Sequence, residues 1–361
     1  MDKYISLLDR LISTPSISRT EDQTADLLVS FLQEQGIQDV HRDKNNVWAA
    51  CAKFDDKKPT LLLNSHHDTV RPCASYTRDP FMPTHENGRI YGLGSNDAGA
   101  SVVSLTATFC QLYETELPFN IILALSAEEE VTGENGIRHL LPSLPKIDMA
   151  IVGEPTCMRV ALGERGLMVL DGIAHGVSGH AARNEGVNAL YLAIDDINTL
   201  RNYKFEKESS LLGPIKVSVT QIQAGTQHNV VPDECRFVAD VRTTDAYTNA
   251  ETAAILQQTV KSQLTPRSTR IHASAIAETH PLVTAARQLG LETFVSPTTS
   301  DMSQMNFPSI KIGPGDSARS HSADEWVGIE EIRQGIETYI EFVKGLKAHL
   351  PALPQGKRAI L

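Results

Sequence analysis

The sequence predicts an α/β domain with a mostly parallel sheet and helices on both faces, interrupted by an inserted α+β domain. Up to about residue 160, short continuous apolar runs, typical of strands buried on both faces, alternate with stretches of helical periodicity. From about Ala161 the strand-like runs alternate between apolar and polar residues, and the earlier pattern returns near His280. A chain of 361 residues also exceeds one ordinary domain. We therefore assign 1–163 and 276–361 to the first domain and 164–275 to the insert.

The elements of the first domain follow from the spacing of its apolar residues. Tyr4, Leu7, Leu8 and Leu11 fall at helical spacing, and a second helical pattern begins at Ala25. Strands are predicted at 47–54, 60–64, 119–126, 149–153 and 309–312. Further helices are predicted at 98–113, 136–141, 282–289 and 329–346.

The insert is predicted to place two helices on one antiparallel sheet, because its strand-like runs have the alternation of half-exposed strands. Its strands are predicted at 167–175, 215–223 and 234–242, and its helices at 188–200 and 251–264.

Composition excludes several classes of partner and location. The formal net charge of -11 argues against nucleic acid or an anionic membrane surface as the main partner. Apolar runs such as 121–125 are too short to span a bilayer, and the N-terminus has no apolar core of a signal peptide. The five cysteines are scattered and never form a C-x-x-C pair. A reducing cytoplasm is therefore the expected location.

The first chemical motif is Ser65-His66-His67-Asp68, directly after an apolar strand. In an extended segment His66 and Asp68 point to the same side. A carboxylate beside a histidine ligand orients the imidazole and raises its basicity. The alternative is a polar turn after a strand.

The second motif places Asp97 at the start of a helix, after three glycines within seven residues. The commoner explanation of such an aspartate is a helix N-cap. No Lys-Ser or Lys-Thr follows the glycines, so a phosphate-binding P-loop is excluded.

Three further motifs supply acids and a histidine. Glu128, Glu129 and Glu130 end a buried strand, where like charges are costly unless a multivalent cation relieves them. A solvated acidic turn is the alternative. Glu154 follows another apolar strand, and His321 follows a glycine-containing loop. Each of these two is weak alone, since a loop histidine is often merely exposed.

Together these motifs place two histidines and several carboxylates on separate strand ends, where sites form in open α/β sheets. Zinc accepts both ligand types. Two metal ions about 3.5–4 Å apart can share a bridging carboxylate, and a free carboxylate beside them serves as general base. The set therefore fits a hydrolytic two-metal site.

The order of these motifs resembles the acetylornithine deacetylase, succinyl-diaminopimelate desuccinylase and glutamate carboxypeptidase family. The segments that carry the resemblance are SHHDTV, GRIYGLGSNDAGA, EEEVTG, GEPT, SGHAARNEGVNAL, NVVPDECRFVADVR and GPGDSARSHSADE. They extend from the first helix to about Leu346, which is nearly the whole chain.

The resemblance implies two Zn²⁺ ions per subunit, with Co²⁺ able to substitute. His66 and Glu154 match ligands of one ion, Glu130 and His321 match ligands of the other, and Asp97 matches the bridging carboxylate. A one-metal enzyme is the alternative, against which the complete set of five ligands argues.

The resemblance also implies catalytic and substrate-binding residues. Asp68 matches the residue that supports His66, and Glu129 matches the general base that takes a proton from the bridging water. The insert resembles the family's lid and dimerisation domain, in which His180 matches a histidine that reaches the partner subunit's site in a homodimer. The positions expected to bind substrate are Asn229, Arg242, Ser300 and Asp301. Arg242 would hold a carboxylate, and Asp301 would suit an ammonium group.

The predicted function is zinc-dependent hydrolysis of the amide bond of a small N-acyl amino acid. The short chain and the SGHAAR and TTSD segments are most similar to the acetylornithine deacetylases and acyl-citrulline deacylases of arginine biosynthesis. N-acetylornithine or N-acetylcitrulline is therefore the first candidate substrate. The alternatives are a desuccinylase acting on succinyl-citrulline, succinyl-ornithine or succinyl-diaminopimelate, and a metallo-dipeptidase. A non-catalytic binding protein on the same fold is the alternative from a different class.

Overall fold

The computed structural model describes residues 1–183 and 185–350 of the chain. These residues fall into two compact units. The first contains Met1–Leu162, Ile276–Phe294 and the chain from Ser300, and the second contains Gly163–Ala275 and Val295–Thr299. The last eleven positions of the predicted first domain, 351–361, lie outside the described residues.

The strands and helices of both units are numbered in chain order. The strands are β1 Val40–Asp43, β2 Asn46–Ala50, β3 Thr60–His66, β4 Thr84–Glu86, β5 Arg89–Tyr91, β6 Asn120–Ser126, β7 Met149–Val152, β8 Val160–Glu164, β9 Gly166–His175, β10 Gly179–His180, β11 Lys216–Ala224, β12 Val230–Val231, β13 Glu234–Thr243, β14 Gln263–Pro266, β15 Ser274–Ala275, β16 Thr293–Ser296, β17 Ser309–Lys311 and β18 Trp326–Gly328. The α-helices are α1 Asp2–Ser13, α2 Asp22–Glu34, α3 Ala100–Leu112, α4 Ile137–Leu140, α5 Ala189–Asn202, α6 Asn249–Thr259, α7 Pro281–Gln288 and α8 Ile329–Leu346.

The first unit is built on a mixed, mostly parallel sheet. Its strands follow the order β1-β2-β6-β3-β7-β17-β8. The central strand β3 runs parallel to β6 and β7, and β17 runs parallel to β7, whereas β1 and β2 form an antiparallel edge. This arrangement confirms the predicted fold class.

Helices cover both faces of this sheet. On one face Leu62 of β3 is buried in a cluster with Ile122 of β6 and Leu140 of α4. On the other face β7 is followed by Gly153, where a Cβ atom would collide with Ser101 and Leu105 of α3. The close approach of α3 explains why a glycine is required at that strand end.

The parallel register brings three strand ends to the same edge of the sheet. His66 at the end of β3 pairs with Ser126 at the end of β6, and Asn64 pairs with Val152 at the end of β7. The polar motifs that follow these strands therefore begin side by side.

A small three-stranded sheet of order β18-β5-β4 belongs to the same unit and was not predicted from the sequence. Each of its strands has only three residues, too few for periodicity to reveal. The sheet pairs Trp326 with Tyr91 and so joins two segments more than 230 positions apart.

The second unit carries an antiparallel sheet of order β11-β13-β9-β14, with α5 and α6. Buried and partly buried residues alternate along β9 and β13, as the predicted half-exposed strands require. Residues of the sheet and of both helices, including Phe237, Ala193 and Leu256, share one core.

The second helix of this unit ends earlier than predicted, and the chain then forms β14. The helix stops at Thr259 because the carboxylate of Asp196 accepts hydrogen bonds from the backbone N–H groups of Lys261 and Ser262. These bonds turn the chain out of the helix, and Leu264 enters the core from a strand instead.

Within residues 1–183 and 185–350, no helix combines the length and the apolar composition needed to cross a bilayer.

Candidate metal centre

The candidate centre is built around His66, whose side chain is almost completely buried at the end of β3. Its Nε2 atom lies 3.2 Å from Oδ1 of Asp97, 3.8 Å from Oε1 of Glu154 and 4.0 Å from Oε2 of Glu129. These three carboxylates follow different elements of the chain, so the fold, and not local sequence, brings them together.

His321 approaches the same cluster from a loop near the C-terminus. Its Nε2 atom lies 2.9 Å from Oε2 of Glu130 and 3.6 Å from Oδ2 of Asp97. The two oxygens of Asp97 thus face different histidines, Oδ1 towards His66 and Oδ2 towards His321. A carboxylate that bridges two ions needs this orientation.

Among the described residues, two groups of side chains have donor atoms that all lie within 4.8 Å of one another. The first is His66, Asp97 and Glu130, and the second is His66, Glu129 and Glu154. The structure therefore brings all five predicted ligands and the predicted base Glu129 into one cluster. How these donors are divided between two ions stays a prediction.

Burial and neighbouring charges shift the pKa values of the residues in this cluster. Burial raises the pKa of Glu154 to about 8, an effect that nearby His66 opposes and Asp97 reinforces. Burial and the charge of Glu154 also raise the pKa of Glu129 well above its usual value, although His66 lowers it. Burial alone would lower the pKa of His66, but hydrogen bonds to Asp68 and Asp97 raise it well above the ordinary value.

Divalent cations would relieve this repulsion, because they would neutralise carboxylates that are costly to bury as anions. Imidazole and carboxylate are also the ligand types that zinc and similar ions accept. The residues present therefore fit a metal centre.

Asp68 supports the centre from behind His66. Its backbone carbonyl accepts a hydrogen bond from Nδ1 of His66 at 3.1 Å, and its Oδ1 lies 3.4 Å from the same nitrogen. Its carboxylate also accepts hydrogen bonds from the backbone N–H groups of Glu129 and Glu130 and from the Ser18 hydroxyl. One buried carboxylate therefore positions the histidine and the acidic turn together.

Burial alone would raise the pKa of Asp68, but hydrogen bonds from His66 and Ser18 lower it below the usual value. These shifts favour an ionised Asp68 beside His66.

Asp97 is not a helix cap in this structure, which removes the commoner explanation of its position. Helix α3 begins at Ala100 after Gly99, and no side chain caps it. Asp97 itself has extended backbone angles, with φ -117° and ψ 97°, inside an irregular turn. Its carboxylate is free to face the two histidines.

Sequence reasoning missed Glu325, which holds the loop that carries Asp97. The Glu325 side chain is buried and accepts backbone N–H hydrogen bonds from Gly94, Asn96 and Asp97 at 2.8–3.1 Å. Burial, reinforced by the charge of Asp97, raises the pKa of Glu325 to about 8. In the sequence its one signal is its position, four residues after the predicted ligand His321.

Asp301 and Ser300, predicted to bind substrate, lie in the same unit as the cluster and are buried. Oδ2 of Asp301 accepts a hydrogen bond from the Ser126 hydroxyl at 2.6 Å. Burial raises the pKa of Asp301 to about 6, although this hydrogen bond opposes the shift. The Ser300 hydroxyl accepts from the backbone N–H of Met302 at the start of a short 3₁₀ helix.

The other predicted residues lie in the second unit. His180 is exposed in β10, and Asn229 accepts a backbone hydrogen bond from Ala181 next to it. Arg242 forms a bidentate ion pair with Asp240 on its own strand, at 2.8 and 3.1 Å. A substrate carboxylate at Arg242 would therefore compete with Asp240.

A family model described as peptidase family M20/M25/M40 matches residues 62–345 of the chain. The chain belongs to this family. It is a metal-dependent hydrolase with a candidate dinuclear metal site.

Curated relatives of this M20-family chain include enzymes named succinyl-diaminopimelate desuccinylase. The protein from Delftia acidovorans is 26% identical over 92% of the chain and 95% of its own length. The one from a Wolbachia pipientis strain is 25% identical over 94% of the chain and 92% of its own length.

Solved structures of M20-family proteins share the fold. The metallo-carboxypeptidase Sso-CP2 of Sulfolobus solfataricus has a TM-score of 0.73 at 18% identity, covering 96% of this chain and 100% of its own. The Bacillus subtilis protein YXEP, described as a dinuclear metal binding peptidase, has a TM-score of 0.72 at 17% identity, covering 97% and 99%.

Zn²⁺ binding to the metal-free protein is expected to release protons and to tighten as the pH rises from about 6 to about 8. The pKa of Glu154 is raised to about 8, so it carries a proton at neutral pH, and the raised pKa of His66 favours its protonated form. Both must lose a proton to become ligands. Calorimetric titration in buffers of different ionisation enthalpy measures the number released.

The Glu154→Gln variant is the control for this titration. Its amide has no carboxyl proton to lose, so it should release about one proton fewer than wild type on binding Zn²⁺. A wild-type affinity that did not depend on pH, with no proton exchange, would contradict the charge distribution described for the cluster.

Proposed function

We propose that this M20-family hydrolase uses two Zn²⁺ ions to hydrolyse the amide bond of an N-acyl amino acid. The observation that supports it is the single buried cluster of histidines and carboxylates at the strand ends. The residues that would hold the ions are His66, Asp97, Glu130, Glu154 and His321. When bound, the ions supply Lewis acidity that polarises the scissile carbonyl and acidifies water.

Glu129 is the proposed general base. Its carboxylate lies beside the ligand cluster, and burial raises its pKa, which makes it a better proton acceptor than a free glutamate. Oε2 would accept the proton of the attacking water and return it to the leaving nitrogen. Asp68 positions both His66 and Glu129, because its backbone carbonyl accepts from Nδ1 of His66 and its carboxylate accepts from the backbone N–H of Glu129.

The first candidate substrate is N-acetylornithine or N-acetylcitrulline, which would place the protein in arginine biosynthesis. The support for it is the similarity of the SGHAAR and TTSD segments to acetylornithine and acyl-citrulline deacylases. Asn229 and Arg242 would bind the substrate carboxylate, and Ser300 and Asp301 would contact its side chain.

The second candidate is removal of a succinyl group, and the names of the curated relatives favour it. A succinyl group carries a carboxylate of its own, so the acyl pocket needs one more positively charged group for this substrate than for an acetyl substrate. The two candidates therefore differ in the charge that the acyl pocket must balance.

A kinetic panel on zinc-loaded protein separates these candidates. We expect the largest kcat/KM for N-acetylornithine or N-acetylcitrulline, with lower values for their succinyl counterparts, succinyl-diaminopimelate and simple dipeptides. A preference for a succinyl substrate would replace the first candidate by the second. Comparable kcat/KM for every compound would exclude a dedicated biosynthetic role.

The Glu129→Gln variant is expected to keep both metal ions and to lose several orders of magnitude in kcat, since the amide cannot accept a proton. Glu128→Gln is the matched control. Glu128 is adjacent and buried, but its carboxylate bonds to Asn135 and not to the cluster. Metal content by elemental analysis and kcat measure the difference. Near-normal turnover by Glu129→Gln would exclude the base assignment.

We further propose that His180 stabilises the developing oxyanion in the site of a partner subunit, in a homodimer formed by the second unit. On this proposal His180→Ala lowers kcat more than it raises KM and leaves metal content unchanged. Mixing His180→Ala with Glu129→Gln subunits should restore activity, because a mixed dimer contains one site with both groups intact.

Light scattering measures the mass of each species in this mixing experiment. A fully active monomer, or a mixture no more active than its parents despite confirmed subunit exchange, would contradict the shared site.

A further inference from the structure

We infer that Glu325 is a positioning residue that fixes Asp97 in the metal centre and joins the loops carrying Asp97 and His321. This inference rests on the proposed metal centre and adds a residue that does not itself touch an ion. Four hydrogen bonds, a strand pairing and a ring stack support it.

The Glu325 carboxylate takes three backbone donors from one short stretch. Oε2 accepts from the N–H of Gly94 at 3.1 Å, and Oε1 accepts from the N–H groups of Asn96 and Asp97, both at 2.8 Å. Three hydrogen bonds to a single buried side chain restrain the backbone at all three residues. The direction in which the Asp97 backbone presents its side chain is therefore set by Glu325.

The loop needs this support because its own backbone is permissive. Gly92 and Gly94 both have positive φ, at 156° and 74°, a region that glycine enters readily. A stretch with such freedom does not hold one conformation by local preference alone. External hydrogen bonds must select it.

The position of Glu325 is itself fixed on the other side. Its backbone carbonyl accepts the N–H of Gly92 at 2.9 Å, directly beside the pairing of Trp326 with Tyr91. The Trp326 ring lies between two guanidinium groups, 3.8 Å from Arg89 and 3.6 Å from Arg319. The Glu325 carboxylate therefore extends from a backbone that is held by strand pairing and by the contacts of the neighbouring Trp326 ring.

The same segment carries His321, four positions before Glu325. His321 is more than half exposed and lies in a loop with a positive φ of 57°. This loop ends at Glu325 and Trp326, where the chain enters β18 of the three-stranded sheet. The distance of 3.6 Å between His321 and Asp97 depends on two loops that Glu325 ties together.

A graded series of variants tests this role. Glu325→Gln keeps one acceptor oxygen but places an amide N–H₂ against backbone donors. Glu325→Met has nearly the same length and accepts none of the three bonds. The apparent Zn²⁺ affinity of each metal-free protein is measured by competition with a chromophoric chelator, and Co²⁺ absorption spectra report the ligand geometry.

Asp148→Asn is the matched control. Asp148 is also a buried carboxylate that accepts a backbone N–H, that of Thr60, but at the opposite end of β3 from His66. Thermal unfolding of the metal-free variants shows how much each substitution destabilises the fold, so that affinity is compared at similar stability.

We expect Zn²⁺ affinity to fall about tenfold for Glu325→Gln and about a hundredfold for Glu325→Met, as for other residues that orient metal ligands. Asp148→Asn should stay within about twofold of wild type and keep its Co²⁺ spectrum. If Glu325→Met does not fold, Glu325→Gln alone carries the test.

Wild-type affinity and an unchanged Co²⁺ spectrum in a folded Glu325 variant would overturn the inference. An equal loss in Asp148→Asn would also overturn it, because the effect would then be general destabilisation. Metal affinity is measured without substrate, so the inference and the proposed function fail separately. If wild-type protein cleaved no amide, but Glu325→Gln bound Zn²⁺ more weakly than wild type did, only the proposed function would be wrong.

Discussion

The first unit depends on one electrostatic constraint, which is the burial of several carboxylates around a single histidine. Asp97, Glu129 and Glu154 all approach within 4.0 Å of Nε2 of His66. Anions at such distances repel one another, and burial removes the water that would screen them. The folded protein must therefore bind protons or cations at this cluster. The raised pKa of Glu154 indicates that a bound proton neutralises this carboxylate when no metal is present. The parallel sheet is what makes this crowding possible, because its strand ends lie side by side.

Backbone N–H donors bind two buried carboxyl groups that lie beside the proposed ligand set. Asp68 accepts the N–H groups of Glu129 and Glu130, and Glu325 accepts that of Asp97. In each case a buried carboxyl group outside the proposed ligand set holds the backbone of proposed ligands or of the proposed base. Because a backbone N–H cannot move without moving its loop, the ligands are placed before any ion binds. This arrangement lowers the entropic cost of assembling the centre.

Residues whose position follows from strand alternation or from a strand end could be predicted from the sequence. A residue positioned by contacts with distant parts of the chain could not. His66 and Asp68 share a side of an extended segment, whereas His67 points away and hydrogen-bonds Thr24. That alternation is local, so the motif alone predicts it. Glu325 belongs to no periodic pattern, and its donors lie 228–231 positions earlier in the chain. Contacts at that separation exist only once the fold is formed.

The two units divide the chemistry between them. Every predicted metal ligand lies in the first unit, whereas His180, Asn229 and Arg242 lie in the second. On the proposed function, the first unit contributes the metal ligands and the general base, and the second contributes His180. The proposed recognition of the amino acid uses Asn229 and Arg242 of the second unit, where Arg242 is already paired with Asp240, and Ser300 and Asp301 of the first. None of these four residues is a predicted metal ligand, so the cluster identifies the reaction more closely than it identifies the substrate.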